Sequence, residues 1–175
     1  MLRLFMLLCA TALLAACASL TEDECRAADW YQIGYADGSE GYSPDRLESH
    51  RQACAKIGVS PDAETWFEGR ERGLRLYCTP IKAYEVARRG STMRAGCTAA
   101  ETRALMPAFD WGRAYWRLEQ EIDDIESDIR EIDSEIAALP PDAASTRSRL
   151  LAERARLSSR LWLLESQQDR YASWP

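Results

Sequence analysis

The feature that most constrains this fold is an apolar seam in the C-terminal third of the chain. Nine apolar residues there lie alternately four and three positions apart, which is the heptad spacing of a coiled coil. They are Trp111, Tyr115, Leu118, Ile122, Ile125, Ile129, Ile132, Ile136 and Leu139. Pro140-Pro141 ends this helix. After a short polar turn, the same frame continues with Leu150, Leu157, Leu161, Leu164 and Tyr171.

Charge predicts how the two helices pair. Residues 117–136 carry nine acids and two arginines, a net charge of −7, whereas residues 147–160 carry five arginines and one glutamate, a net charge of +4. Two copies of the acidic helix repel each other, while the acidic and basic helices attract, and the short turn makes that pair antiparallel. We therefore expect a monomeric antiparallel coiled-coil hairpin over residues 108–175. Its elongated charged surface, over 111–174, is a candidate binding surface for a protein partner of the cell envelope.

The seam also predicts a register. If the turn centres near residue 143, facing positions add up to about 286 in antiparallel seam packing. Arg154, which interrupts the second seam, then lies opposite Ile132, so that Glu131 or Asp133 can receive its charged head while its stem covers the seam. Trp111 and Trp174 are expected to meet at the base of the hairpin.

The N-terminus has the pattern of a secretory signal. Arg3 precedes a short apolar run and then small residues, and the run is too short to span a bilayer, which needs about 20 apolar residues. Leu14-Ala15-Ala16-Cys17 resembles the lipobox of bacterial lipoproteins, in which the cysteine is acylated and becomes the mature N-terminus. We expect residues 1–16 to be removed and Cys17 to carry the lipid; an ordinary signal peptide is the alternative. Ala18 stands where an aspartate would favour the inner membrane, so the predicted location is the periplasmic face of the outer membrane.

Composition limits the partners and the chemistry. The chain has a formal net charge of −6 and the signal contributes only the charge of Arg3, so the mature chain has a net charge of −7 and is a poor candidate for binding nucleic acid. Four cysteines remain after removal of the signal and acylation of Cys17, and four cysteines in a small exported domain predict two disulfides. Helix positions favour the pairs Cys25–Cys54 and Cys78–Cys97. The alternative is a zinc site that uses His50, but no CxxC pair is present, and we expect no metal or cofactor.

Helix signals run through the whole chain. Ser43-Pro44, Ser60-Pro61 and Thr79-Pro80 each place a capping hydroxyl before a proline, while Thr21 with Glu24 and Thr98 with Glu101 fit the capping box. Gly58 and Gly90 are natural helix stops, and no segment alternates as a strand does. The predicted helices are 22–38, 44–57, 61–77, 80–89, 99–106, 108–139 and 146–172. The fold class is therefore all-α, with a disulfide-linked helical domain over 17–107 followed by the hairpin over 108–175.

Two of the predicted helices share a glycine pattern. Tyr31-x-x-Gly34-x-x-x-Gly38 recurs as Trp66-x-x-Gly69-x-x-x-Gly73, with fainter echoes at Tyr84-x-x-Ala87 and Phe109-x-x-Gly112. Glycines four positions apart clear one face of a helix. That face can pack tightly against another helix, which is the favoured interpretation, or it can line a ligand groove. The residues of the candidate ligand face are Trp30, Tyr31, Gly34, Asp37, Gly38, His50, Trp66, Gly69, Gly73 and Tyr77.

The combined spacing resembles a known family. Cys25-x4-Trp30-x3-Gly34-x2-Asp37-Gly38-x2-Gly41-Tyr42 leads through His50-x3-Cys54 to Gly69-Arg70-x2-Gly73-Leu74-x2-Tyr77-Cys78-Thr79-Pro80 and then Cys97. Over residues 17–97 this resembles a family of small proteobacterial lipoproteins catalogued as domain of unknown function 2799. The resemblance implies a periplasmic lipoprotein anchored in the outer membrane. It implies no activity, and Ala87 stands where the family leads us to expect a glycine.

No catalytic constellation is evident in the sequence. His50 is the only histidine, so a Ser-His-Asp or Cys-His site would have to use it, and we expect it to be a packed or capping residue. Asp37, Glu40 and Glu68 are the acids that a glycoside-cleaving pair would draw on. The leading hypothesis is a non-enzymatic interaction or scaffold lipoprotein. A domain that binds a small ligand or glycan such as peptidoglycan is the second, and a peptidoglycan-acting enzyme is the third.

Overall fold

The computed structural model describes residues 19–175, so the predicted signal and Cys17 lie outside the described residues. Within that range the secondary structure is entirely helical, which confirms the all-α prediction. The chain divides into two compact units. The first comprises residues 19–79 and 94–102, and the second comprises 80–93 and 103–175. None of the helices in the described range is long and apolar enough to cross a membrane.

The first unit contains helices α1 (Glu22–Arg26), α2 (Trp30–Ser39), α3 (Arg46–Ala55) and α4 (Ala63–Tyr77). The predicted capping box that begins α1 is present, and Glu24 accepts hydrogen bonds from the backbone and hydroxyl of Thr21, which lower the pKa of its carboxyl group.

Three predicted helix boundaries in this unit are wrong. The single helix expected over 22–38 is broken, because Asp29 caps a new helix by accepting a hydrogen bond from the Gln32 amide. Helix α4 is capped by Asp62 rather than Ser60, and α3 starts at Arg46 with no side-chain cap. Aspartate is as good a capping residue as serine, and here Asp62 accepts the hydrogen bond from the Thr65 amide.

Both predicted disulfides are present. Cys25 bonds to Cys54, with 5.5 Å between the Cα atoms, and so joins α1 to α3. Cys78 bonds to Cys97, with 5.7 Å between the Cα atoms, and so joins the end of α4 to the segment before the next long helix. Because Cys54 is in a disulfide, the alternative zinc site has no thiolate there to use.

We predict that removing the second disulfide with Cys78→Ser and Cys97→Ser lowers the free energy of unfolding by about 3 kcal/mol, because the bond closes a loop of about 20 residues in the unfolded chain. Urea unfolding followed by circular dichroism measures the change. Reductant should lower the free energy of unfolding of the parent chain more than that of the variant, because the variant has one disulfide fewer to lose. Equal midpoints for oxidised parent and variant would contradict the prediction.

The second unit contains α5 (Pro80–Ala87), α7 (Ala144–Arg170) and most of α6 (Ala99–Ala138). The helices predicted over 99–106 and 108–139 are in fact one helix that includes Pro107. Proline removes a single backbone hydrogen bond there, and the buried residues Leu105 and Ala108 on either side hold the helix in place by packing. Residues 80–89 are predicted from the sequence to belong to the N-terminal domain, whereas the structure groups α5 with the hairpin helices.

The seam of the hairpin forms one apolar cluster. Its buried members are Ile122, Ile125, Ile132, Leu150, Leu157 and Leu164, and Leu118, Ile129, Ile136, Leu139 and Leu161 pack against them half-buried. Residues from both helices therefore share one core, as expected for an antiparallel hairpin.

Two contacts agree with the predicted register. Arg154 donates to both carboxylate oxygens of Asp133, at 2.6 and 3.2 Å, next to the position predicted to face it. The rings of Trp111 and Trp174 meet edge to face, with 6.2 Å between their centroids. Arg160 also pairs with Glu121 across the helices, so acidic α6 and basic α7 are linked by charge as well as by the seam.

We predict that Arg154→Glu lowers the melting temperature, because it places an acid beside Asp133 and removes the two hydrogen bonds. Adding Asp133→Arg should restore most of the loss by reversing the pair. Arg156→Glu is the matched control, since Asp133→Arg should not rescue it. If the double variant melted at the same temperature as Arg154→Glu alone, the result would argue against this register.

Helix α5 is joined to the hairpin helices by close packing. A side chain on Gly112 would overlap the backbone carbonyl of Tyr84 and come within 3.0 Å of the Ala87 Cβ. The Tyr84 hydroxyl donates to the carbonyl of Tyr171 at 2.8 Å, and burial raises the pKa of Tyr84. The indole of Trp111 donates to the carbonyl of Ser173 at 2.9 Å, so the end of the chain is held within this unit.

Candidate functional site

Helices α2 and α4 pack backbone to backbone through the four glycines of the repeated pattern. A Cβ on Gly34 would lie 2.9 Å from the carbonyl carbon of Trp66, and a Cβ on Gly69 would lie 2.9 Å from that of Tyr31. The contact is reciprocal, because each first glycine meets the carbonyl of the aromatic residue that opens the other motif. This arrangement is typical of helices held by Cα–H···O contacts.

Gly38 and Gly73 repeat the contact one turn further on. A Cβ on Gly38 would lie 2.9 Å from the carbonyl carbon of Arg70, and a Cβ on Gly73 would overlap the carbonyl oxygen of Tyr35. The glycine faces are therefore filled by the partner helix, which is the packing interpretation, and these four positions leave no room for a ligand. Gly112 against Tyr84 in the second unit has the same geometry, so the fainter sequence echo marks the same kind of contact.

The aromatic residues of the candidate ligand face lie in different environments. Trp66 is fully buried, Tyr77 is buried, and Trp30 and Tyr31 are half-buried. The Tyr77 ring packs where a side chain on Gly41 would stand, and its hydroxyl accepts a hydrogen bond from the Arg94 amide at 2.8 Å. Trp66 and Tyr77 therefore act as core residues of the first unit.

Asp37 is the centre of a buried polar network between α2, α3 and α4. Its Oδ2 accepts a hydrogen bond from the Trp66 indole at 2.9 Å and lies 2.7 Å from His50 Nε2. Its Oδ1 pairs with Arg46 Nε at 3.4 Å. The carboxylate of α2 is thus bound by two side chains of α3 and one of α4. Among the described residues no buried side-chain nitrogen or oxygen lacks a partner.

His50 links this carboxylate to the start of the described chain. Its ring is only 1% exposed, and Nδ1 lies 2.9 Å from the hydroxyl of Ser19. Because the Asp37 carboxylate only accepts, His50 Nε2–H is the donor there, while Nδ1 forms a hydrogen bond with the Ser19 hydroxyl. The prediction of a packed histidine agrees with this burial, but no sequence motif marks Ser19 or Arg46 as members of the network.

Ser19, His50 and Asp37 contact one another in the same series as the residues of a serine-hydrolase triad, but the serine is on Nδ1 and the acid on Nε2, the reverse of that triad. Catalysis by such a triad requires the imidazole to reach the leaving group of a bound substrate. Here the ring is enclosed, and the carboxylate is shared with Trp66 and Arg46. The geometry therefore supports a network that satisfies buried polar groups rather than one that exchanges protons with a substrate.

The acids considered for glycoside cleavage do not share one environment. Asp37 is buried and fully engaged, whereas Glu40 is exposed and pairs with Arg94 at 3.1 Å, and Glu68 is exposed. No group of three or more metal-ligating side chains occurs within residues 19–175.

Arginines surround the loop between α2 and α3. Arg70 is buried, and its Nε donates to the carbonyl of Tyr42 at 2.8 Å. Burial lowers the pKa of Arg70, and the negative charge of Asp37 opposes that effect. Arg46 and Arg94 lie over the Tyr42 ring, 4.4 and 4.1 Å from its centroid. These contacts fix the loop that carries Gly41, whose φ of +78° suits glycine.

A second candidate site lies on the exposed side of α7, away from the seam. Trp162 is 67% exposed and Leu151 is 49% exposed, and the two lie eleven residues, or three helical turns, apart. Ala155 and Ser158 lie between them on the same face. We call these four residues the outer stripe. The two large exposed apolar side chains in line on one face make this stripe a candidate surface for binding another protein.

These features define the class of the protein: it is all-α, with disulfide-linked helices that pack through glycine faces around a buried carboxylate. Residues 29–114 match the family model described as "Protein of unknown function (DUF2799)", which confirms the resemblance carried by the sequence spacing. No curated protein and no solved structure is significantly similar to the chain. The match starts and ends later than the resemblance over residues 17–97, so it also includes the Phe109-x-x-Gly112 motif.

Proposed function

We propose that this protein is a non-enzymatic, lipid-anchored interaction protein of the bacterial cell envelope that binds a helical partner on the outer stripe of α7. The observation that carries the proposal is the exposure of Trp162, because tryptophan is one of the residues enriched among energetic hot spots of interfaces.

The chemistry of the outer stripe suits a helical partner. Leu151 and Trp162 supply large apolar side chains, while Ala155 and Ser158 between them are small and allow close approach. Arg154 and Arg160 of this helix are already paired with Asp133 and Glu121 of α6, so the recognition that we propose is apolar rather than ionic. We therefore propose a partner segment with an apolar face.

Photo-crosslinking in cells tests the interaction. A photo-crosslinking amino acid at Ala155, on the outer stripe, should give a discrete protein adduct. The same amino acid at Asp124, exposed on α6, is the matched control and should not give that adduct. Trp162→Ala should abolish the adduct while leaving the melting temperature nearly unchanged, because exposed side chains contribute little to stability. An adduct that survives Trp162→Ala, or that forms equally from both positions, would contradict the proposal.

The anchor is supported by the sequence and is tested separately. Intact-mass analysis of protein extracted from membranes should show a mature chain that begins at Cys17 and carries a diacylglyceryl group. Cys17→Ala should leave the chain unprocessed or release it from the membrane fraction. A wild-type chain that is soluble and unmodified would contradict the lipid anchor. The outer membrane, rather than the inner, is part of the proposal, and membrane fractionation distinguishes them.

A further inference from the structure

We infer that the folded first unit lies directly on the bilayer surface, because a single residue, Ala18, separates its docked N-terminal segment from the lipid anchor at Cys17. The inference rests on the proposed lipidation of Cys17, and it adds the lipid headgroup surface as a second partner of the protein.

The first step is the docking of Ser19. Its hydroxyl lies 2.9 Å from Nδ1 of His50, and the opposite nitrogen of that ring lies 2.7 Å from the buried carboxylate of Asp37. A side chain held from both sides and only 1% exposed cannot follow the motions of a loose segment. Ser19 is thus attached to the core of the unit rather than to a mobile surface group.

The second step is the attachment of the rest of this segment. Thr21 begins α1 with a complete capping box, and Cys25 is buried and bonded to Cys54. His50 and Cys54 lie one helical turn apart on α3. Residues 19–25 are therefore held to the same helix at both ends.

The third step is covalent reach. Cys17 precedes Ser19 by two residues, and an extended chain spans at most about 3.6 Å per residue, so the two Cα atoms lie within about 7 Å of each other. An acylated Cys17 lies at the membrane surface, since its chains are buried in the bilayer. The part of the first unit around Ser19 therefore lies against the lipid headgroups. A flexible tether of 20 residues would instead allow a separation of about 25 Å.

Energy transfer from the protein to lipid tests this geometry. Ser49 is exposed beside His50, so Ser49→Cys provides a site for a donor dye. The full-length lipidated protein is placed in phosphatidylcholine vesicles that contain a small fraction of acceptor-labelled lipid. Neutral lipid is used because Glu22, Asp23 and Glu24 make α1 acidic and would be repelled by anionic headgroups. The comparison protein carries a 20-residue Gly-Ser insertion between Ala18 and Ser19, which leaves the lipobox and every contact of Ser19 in place.

We expect the insertion to lower the transfer efficiency at least twofold. Equal transfer from the two proteins would overturn the inference, since the tether would then not set the distance. Intact-mass analysis of the same samples separates this failure from failure of the proposed anchor. If Cys17 is diacylated and transfer is equal, only the inferred position on the bilayer surface is overturned. If Cys17 is unmodified, the lipid anchor and the inferred position are both overturned.

Discussion

Replacing Gly34 by leucine should unfold the first unit or lower its free energy of unfolding by more than about 4 kcal/mol, an effect at the upper end for single substitutions. The side chain would stand where the Trp66 backbone now lies, and backbone cannot move aside as a flexible side chain can. Helices α2 and α4 would have to separate. That separation would expose Trp66 and weaken its hydrogen bond to Asp37.

Ala36→Leu is the matched control for this substitution. Ala36 lies on the same helix but is exposed, so its replacement should change stability by less than about 0.5 kcal/mol. Urea unfolding followed by tryptophan fluorescence and circular dichroism measures both variants. If Gly34→Leu unfolded at the same urea concentration as Ala36→Leu, the backbone contact between the helices would not be the main support of this unit.

Much of the scaffold is predictable because its signals are local or periodic. The spacing and charge of the seam from Trp111 to Leu139 predict that it pairs with α7. The sequence alone therefore places Arg154 beside Glu131 and Asp133. In the structure Arg154 contacts Asp133. The disulfide pairs follow from the order of helices, and both are present. The apolar period in the sequence predicts the structure well because the apolar face of a helix is the face that is buried.

Helix boundaries are less predictable because several residues compete for the same role. Ser60-Pro61 and Asp62 each offer a cap, and in the structure the Asp62 side chain accepts the hydrogen bond of the Thr65 amide. Pro107 favours a helix boundary by its sequence, yet burial of Leu105 and Ala108 outweighs the one lost hydrogen bond. Tertiary packing, which the sequence does not display, settles the second case.

The buried network is only partly predictable because its members are far apart in the chain. Asp37, His50 and Trp66 all belong to the candidate ligand face, but nothing near them in the sequence indicates that Ser19 and Arg46 join them. One signal is present: Asp37 lies beside Gly38 on a helix whose glycines mark close packing. An acid next to such a face must be paired, and the only histidine and a tryptophan on the facing helix are natural donors. Exposure of Trp162 gives no periodic signal, since it lies outside the seam.

The loss of Asp37 should be the second large effect. Asp37→Ala is expected to lower the free energy of unfolding by about 3–5 kcal/mol, because it leaves the buried donors of Trp66 and His50, and the charge of Arg46, without an acceptor. Glu68→Ala removes an exposed acid from α4 and is the matched control, with an expected change below about 0.5 kcal/mol. Urea unfolding of both variants provides the comparison.

A double-mutant cycle with His50→Ala shows whether the network acts as a unit. If the cost of Asp37→Ala arises from donors left unsatisfied, part of it disappears once His50 has also been removed, because one of those donors is then absent. The combined variant should therefore be more stable than the sum of the single losses predicts, by about 1–3 kcal/mol. Strictly additive losses would mean that the two side chains stabilise the unit independently. The close approach of His50 Nε2 to the carboxylate would then contribute little to holding the three helices together.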